Sequence, residues 1–210
     1  QAAVSEGGAA EMKYVVDRAL SDVGFEVSHL AFSSVKGRFA DFSGEVHLAY
    51  DDKEDLQLLP DAGFIEVRVE SLDSGMGSTA NGRATSTMEA DQFPLMKCIP
   101  VGPLVPSSSS SAGSTYTIVG KVVIRDVEKD VDFKVTVDPH FAPGQAALKL
   151  SATAVLDRFA FGVCPNWPSM ALGQQVTLKA TLALALQKGD LPDGEGHQED
   201  ETLDGQVAGA

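Results

Sequence analysis

The stretch Val131-Asp132-Phe133-Lys134-Val135-Thr136-Val137-Asp138 indicates the fold, because it is apolar at every odd position and polar at every even one. A period of two places successive side chains on opposite faces of a β-strand, so one face is apolar and the other polar. The alternation recurs in four further stripes: Leu148–Leu156, Val176–Leu186, Ile118–Ile124 and Ile65–Val69. Strands with one apolar face must enclose an apolar interior, filled by side chains or by a ligand.

The number of strand-like segments predicts an all-β protein. Segments that follow one another through hairpins suit a closed antiparallel β-barrel of about eight strands, with a sandwich of the same strand count as the alternative. An eight-stranded barrel is just wide enough to be filled by side chains or to hold one small ligand. Small residues at candidate inward positions, namely Gly120, Ala152, Ala154 and Ala180, favour a cavity.

Composition divides the chain into three parts. Residues 1–12 are small and polar and predict a flexible N-terminal arm. Residues 13–187 hold the alternating segments and form the predicted barrel domain. Residues 188–210 contain seven acidic residues and one lysine without apolar periodicity, which predicts a disordered acidic tail.

The alternation breaks down over Ser74–Phe93. Its second half, Thr85–Phe93, predicts a short helix that ends at Pro94, so the only substantial helix is expected between Ser78 and Phe93. This segment is the single helical excursion from an otherwise β-structured chain.

Three further segments are predicted to lie outside the regular barrel wall. Leu95–Pro106 carries three prolines and favours, at best, a short edge strand or an extended loop. The serine run Ser107–Ser111 is typical of a flexible hairpin loop. The acidic stretch Asp51–Asp55 is typical of a solvated turn.

The bulk properties exclude several classes of partner. The formal net charge of −14 argues against nucleic acid or an anionic membrane as the principal partner. No apolar run approaches the roughly 18 residues of a membrane span, so we expect a soluble, non-spanning body. The chain begins at Gln1, which removal of a leader or trimming of the sequence would explain.

Several blocks of the chain resemble the YceI-like family. Phe25-Glu26-Val27-Ser28-His29 resembles the family's F-x-V-x-H pattern, and Gly37–Gly44 resembles its G-x-F-x-x-F-x-G pattern. Further blocks occur in the family's order at Tyr14–Asp17, Ser71–Ser74, Tyr116–Val131 and Leu156–Val163. The resemblance spans about residues 13–187.

The resemblance implies a lipocalin-like barrel that encloses a polyisoprenoid or another long amphiphile. It implies non-enzymatic binding or transport of a long-chain isoprenoid, quinone or similar lipid, with no cofactor beyond that lipid. It also implies a periplasmic or secreted location, with an organelle after leader removal as the alternative. The chain departs from the family at Leu20, which replaces a histidine, and within Arg83–Thr87 and Gln92–Pro94.

An apolar barrel suits a long lipid chain, because each buried CH₂ contributes about 0.8 kcal/mol. Arg83 and Arg38 could pair with a phosphate or quinone oxygen, although surface pairing with acids explains Arg38 better. The alternative for the phenylalanines is that they only fill the barrel, and for His29 that it is a satisfied core histidine. We expect the ligand contacts at Phe25, Val27, His29, Phe39, Phe42, Arg83, Phe93, Ile124, Phe159 and Phe161.

The two cysteines, Cys98 and Cys164, lie beside proline-containing segments that we expect to meet at one end of the barrel. A Cys98–Cys164 disulfide is predicted if the protein is exported, and two buried free thiols are the alternative. Neither cysteine nor any histidine has the spacing of a metal site. No nucleophile elbow, glycine-rich phosphate loop or carboxylate pair stands out, so an enzyme is not predicted.

A third class of function stays open beside lipid binding and catalysis. The changed residues near the expected pocket mouth, the serine run and the acidic tail would suit an accessory or docking subunit of a larger, membrane-associated complex. The barrel interior distinguishes lipid binding from the docking role. An empty apolar interior favours lipid binding, and an interior filled by side chains favours a docking subunit.

Overall fold

A computed structural model describes residues 12–30, 32–50, 56–110, 113–138, 140 and 147–187. The described residues form twelve strands and one α-helix, α1 (Ser78–Thr87), with short 3₁₀ turns at Arg18–Leu20, Val69–Ser71 and Arg158–Phe161. The strands are β1 Met12–Val16, β2 Asp22–His29, β3 Ser33–Phe39, β4 Phe42–Tyr50, β5 Leu56–Arg68, β6 Leu72–Asp73, β7 Leu95–Pro100, β8 Val105–Ser110, β9 Gly113–Ile124, β10 Val127–Val137, β11 Ala147–Asp157 and β12 Leu172–Leu186.

Eight of the strands form a closed antiparallel ring, in the order β1-β4-β5-β7-β9-β10-β11-β12 and back to β1. The pairing of Val16 with Leu184 closes the ring between its first and last strands. Strand β2 pairs with the first part of β12, β3 pairs with β2, and β6 pairs with β3. Strand β8 pairs with β9. The predicted eight-stranded barrel is confirmed.

Helix α1 lies within the predicted window, but at its beginning. It starts after Gly77, which has a φ of +89°, and ends before Glu89, which has a φ of +56°. A positive φ is incompatible with continued right-handed helix, so most of the predicted Thr85–Phe93 helix is turn. We call the end of the barrel that carries α1 and the turn between β9 and β10 the helix end.

The prediction for Leu95–Pro106 is wrong, because β7 is an interior strand of the ring. Cys98 of β7 pairs with Ile65 on one side and with Val122 on the other. Pro100 is tolerated because it is the last residue of β7, and Pro106 because its strand, β8, is an edge strand.

The serine run also differs from its prediction. Most of it belongs to β8, which pairs with β9 from Val105↔Thr117 to Ser110↔Gly113. The Ser107 and Thr117 hydroxyls lie 2.9 Å apart in a hydrogen bond across this pair, which stabilises an otherwise weak strand. The arm up to residue 11, the turn Asp51–Asp55 and the tail 188–210 lie outside the described residues.

Among the residues that the structure describes, Arg158 is the largest fully buried side chain, with 1% of its surface exposed. Its Nε donates to the Gly173 carbonyl at 2.9 Å, and its two Nη atoms donate to four further carbonyls. The guanidinium therefore uses all five of its N–H donors. The other acceptors belong to Val163, Cys164, Trp167 and Leu172. One buried cation thus fixes the loop between the last 3₁₀ turn and β12.

We predict that Arg158→Met destabilises the protein by about 3 kcal/mol or more, because five carbonyls lose their charged donor. The unfolding free energy of Arg158→Lys should lie between those of wild type and Arg158→Met, since an ammonium keeps the charge but cannot reproduce the planar guanidinium. Arg18→Met is the matched control, because Arg18 forms a surface pair with Asp41 and should cost about 0–1 kcal/mol. Urea unfolding measures the three values, and equal costs for Arg158→Met and Arg18→Met would contradict the prediction.

Candidate functional site

A cavity of about 220 Å³ lies inside the barrel. The stripes predicted from the sequence supply most of its wall, because alternate residues of β9 to β12 face inward. These inward residues include Ile118, Val122, Ile124, Phe133, Val135, Val137, Leu148, Leu150, Ala152, Leu178, Ala180 and Leu182. The site is therefore an apolar chamber rather than a polar cleft.

The charged residues beside the cavity have partners. The Lys179 ammonium binds Glu26 at 2.6 Å. The Lys97 ammonium lies 4.7 Å from the centroid of the Phe64 ring. Glu45 binds Lys13 at 2.9 Å, and this hydrogen bond lowers the pKa of the Glu45 carboxyl. The chamber therefore suits an uncharged apolar chain.

Small residues create part of the space. Ala152 faces Ala180 across the β11–β12 pair, and both line the cavity as predicted. Gly120 also lines it, but a Cβ there would lie 2.7 Å from Phe133 Cε2 and 2.9 Å from Cys98 Sγ, so this glycine makes room for those two side chains. Ala154, the fourth small residue predicted to face inward, is buried but does not line the cavity.

Of the ten predicted ligand contacts, Phe39 and Ile124 line the cavity. Phe25 covers a glycine of the neighbouring strand, since a Cβ on Gly37 would lie 2.5 Å from Phe25 Cε1. Its ring centroid is 5.9 Å from that of Phe39. Phe25, Val27 and His29 lie on β2, in the part of the wall that pairs with β3 and the first half of β12.

The other predicted aromatic contacts lie at the helix end. Phe42 packs in a cluster with Phe39, Val67 and Leu72, and Phe161 packs in another with Ile124. Phe93 lies against the Arg125 guanidinium, 5.9 Å from its ring centroid. Phe159 lies against Arg158, with the guanidinium 4.0 Å from its ring centroid. A ligand contact for any of these residues stays a prediction.

The two candidate arginines are on the surface. Arg83 is exposed on α1. Arg38 pairs with Asp73 at 3.9 Å while its side chain is 70% exposed, which makes this a weak surface pair, as the sequence favoured. Neither lines the cavity.

The sequence predicted the Ile65–Val69 stripe, and Ile65 and Val67 of β5 line the cavity, but it did not predict a cavity-lining strand at β7. Met96 and Cys98 alternate on β7 and line the cavity, as does Leu58 of β5. Met96, Cys98 and Pro100 carry the period-two signal, but the three prolines of Leu95–Pro106 are unfavourable in an interior strand and oppose it.

The cysteines occupy different places. Burial among apolar side chains raises the pKa of the Cys98 thiol to about 12. Cys164 lies in the loop fixed by Arg158, where its thiol hydrogen-bonds with Thr87 of α1, and burial raises its pKa as well. Both thiols are free, so the predicted Cys98–Cys164 disulfide is not formed in this structure.

Two searches of the described residues bear on other classes of function. Within them, no group of three or more His, Cys, Asp or Glu side chains is placed to hold a metal ion. The part of the chain that the structure describes also holds no helix of the length and hydropathy that a membrane crossing requires.

An eight-stranded closed antiparallel barrel around an apolar cavity defines a lipocalin-like class of protein. The YceI-like domain matches residues 14–184, and the chain belongs to this family. Curated relatives in Shewanella strains ANA-3 and MR-4, UPF0312 proteins, are 44% identical over 61 residues. These 61 residues cover 28% of this chain and 28% of the length of each relative.

Solved structures share the fold. Burkholderia cenocepacia BcnA gives a TM-score of 0.65 at 21% identity, covering 80% of this chain and 98% of that one. A polyisoprenoid binding domain from Saccharophagus degradans, implicated in plant cell wall breakdown, gives 0.56 at 12% identity, covering 86% and 100%. The Campylobacter jejuni YCEI protein gives 0.58 at 20% identity, covering 82% and 96%.

We predict that Cys98 resists alkylation in the native protein while Cys164 reacts faster, because only the thiolate attacks and Cys98 is protonated and shielded. Cys164→Ala and Cys98→Ala leave one thiol each, so mass spectrometry of alkylated samples gives separate rates. Urea should abolish the difference. Equal native rates would show that Cys98 is not enclosed.

The raised pKa of Cys98 also predicts a pH dependence of stability. Above about pH 9 the thiol ionises in the unfolded chain, but in the folded chain it stays protonated up to about pH 12. The stability that the neutral thiol contributes is therefore present below pH 9 and lost as pH rises towards 12. The unfolding free energy of wild type should fall more steeply over this range than that of Cys98→Ala, and parallel curves would contradict this.

Proposed function

We propose that the barrel binds a long-chain isoprenoid, quinone or similar amphiphilic lipid and catalyses no reaction on it. The observation that carries the proposal is the apolar cavity, whose wall comes from one face of the strands. A hydrocarbon chain entering such a space loses contact with water without leaving a protein charge unpaired.

The size of the cavity indicates how a long lipid would be held. At about 220 Å³ it is smaller than the roughly 300–1,000 Å³ of sites that enclose drug-sized ligands. A long chain would therefore fill the cavity with one segment and leave its polar group at the opening. This arrangement also explains why the binding chemistry needs no charged group inside the barrel.

The family supports the same class of ligand. A fold neighbour, the Saccharophagus degradans domain, is described as polyisoprenoid binding. We propose the periplasm or the exterior of the cell as the place of action, in keeping with the YceI-like resemblance. The accessory-subunit alternative is less well supported, because it was tied to a barrel filled by side chains and this barrel has space.

The test is native mass spectrometry of gently purified protein, followed by lipid extraction. Wild type should carry a lipid adduct. Ala152→Phe should lose it, because the new ring occupies the cavity beside Ala180. Thr153→Phe is the matched control, since Thr153 is the next residue of β11 and is exposed on the opposite face.

Both variants should retain the far-ultraviolet β signal and cooperative unfolding, because Ala152→Phe fills a void instead of opening one. If Ala152→Phe fails to fold, Ala180→Phe places the ring in the same space from β12. Folded wild type without lipid, or equal lipid loss in the Thr153→Phe control, would overturn the proposal.

A further inference from the structure

Four large apolar side chains project into solvent beside the helix end. Leu30 and Phe32, in the turn between β2 and β3, are 59% and 100% exposed. Trp167 and Met170, in the loop before β12, are 51% and 78% exposed. We call these four residues the apolar tip.

The two segments of the apolar tip are joined. The Leu30 N–H donates to the Ala171 carbonyl at 3.2 Å, and His29 pairs with Leu172 at the start of β12. The turn and the loop therefore present their apolar side chains from one place. Single exposed apolar residues are ordinary on protein surfaces, but a group of four at one place is typical of an interaction site.

The loop of the apolar tip is held in its exposed conformation. The buried Arg158 guanidinium binds the carbonyls of Trp167 and Leu172 at 2.6 and 2.8 Å. The Trp167 N–H donates to Cys164, and the Ala171 N–H donates to Pro168. With its backbone fixed at both ends, the loop cannot fold Trp167 and Met170 back onto the barrel without breaking these bonds.

The two segments that form the apolar tip carry no acidic side chain, as is also true of other stretches such as residues 92–125. The chain holds 30 acidic residues among 210, yet residues 27–35 and 158–173 contain none. The acids that border these segments have partners: Glu26 binds Lys179 at 2.6 Å, and Asp157 accepts from Gln174 at 2.7 Å. No carboxylate of these two segments would need to be dehydrated if the tip left water.

We propose that the apolar tip docks the protein on a lipid bilayer whose headgroups carry no net charge. Tryptophan and phenylalanine on a carboxylate-free tip suit the boundary between headgroups and acyl chains. The net charge of −14 opposes an anionic surface, which selects an electrically neutral one. A second copy of the chain fits less well, because two short turns cannot supply the roughly 800 Å² per partner of a stable interface.

The chain supplies its own probe, because Trp167 is its only tryptophan. With phosphatidylcholine vesicles, the emission of Trp167 should shift to the blue and be quenched by brominated acyl chains. The protein should float with these vesicles at both low and high salt. Binding to phosphatidylglycerol vesicles should be weaker at low salt, because like charges repel.

The double variant Phe32→Ser, Met170→Ser leaves the tryptophan in place and should lower vesicle partitioning by about tenfold or more, since two apolar side chains no longer enter the bilayer. The matched control is Leu20→Ser, Met76→Ser, which removes two apolar side chains of 70% and 60% exposure outside the apolar tip. This control should partition like wild type.

Three results would overturn the proposal: no blue shift or quenching, equal loss in the control pair, or association between protein molecules that the tip variants abolish without any vesicle binding. The vesicles contain no isoprenoid, and the cavity variant Ala152→Phe should still bind them. Failure of bilayer docking and failure of lipid binding in the cavity are therefore separate outcomes.

Discussion

Strand β12 uses both of its edges, and the barrel depends on this double pairing. One edge pairs with β11 from Asp157↔Gln175 to Ala147↔Ala185. The other edge pairs with β2 along its first part and with β1 at its end. Closure removes the unpaired backbone groups that an open sheet would leave along these strands. Closure also makes all inward side chains face one apolar interior, so alternate residues along β10 to β12 are apolar.

An unfilled cavity in such a barrel is a cost to the folded state. Core truncations show this cost, which rises with the volume of the cavity that they leave. The chain nevertheless keeps Ala152 and Ala180 where larger residues would fill the space. A barrel that tolerates a void of this size gains stability from any apolar chain that fills it.

The sequence predicted the barrel wall because alternation is a local signal. The stripes of β9 to β12 needed only period-two hydrophobicity, and they line the cavity as expected. Alternation at Met96, Cys98 and Pro100 indicates a strand, but the position of β7 inside the ring depends on long-range pairing with β5 and β9. The burial of Arg158 depends on three carbonyls of the loop that follows it and two at the start of β12. Because every residue has a backbone carbonyl, the residue types do not indicate that these acceptors will surround Arg158.

The helix end explains how the chain can depart from its family there and keep an apolar interior. Ala84 of helix α1 and Met88, the residue after the helix, pack onto the cluster of Phe39 and its neighbours, which places these two side chains on the barrel side. The changed position at Ser86 faces outward, as do Gln92 and Pro94 of the following turn. Ala84 is also a changed position and packs on the barrel side, but neither it nor Ser86, Gln92 or Pro94 lines the cavity, so the cavity lining stays intact.

The turn that follows α1 is connected to the loop of the apolar tip through a second arginine. Arg125 binds the Glu89 carboxylate beyond α1 and donates to the Gly162 carbonyl at 2.7 Å. Arg158 then connects the residues that follow Gly162 to the start of β12. Two arginines, which bind mainly backbone carbonyls, thus hold together the turn after α1, the loop of the apolar tip and strand β12. An arrangement of this kind fixes the geometry of one end of the barrel while leaving the side chains of the loop free to vary.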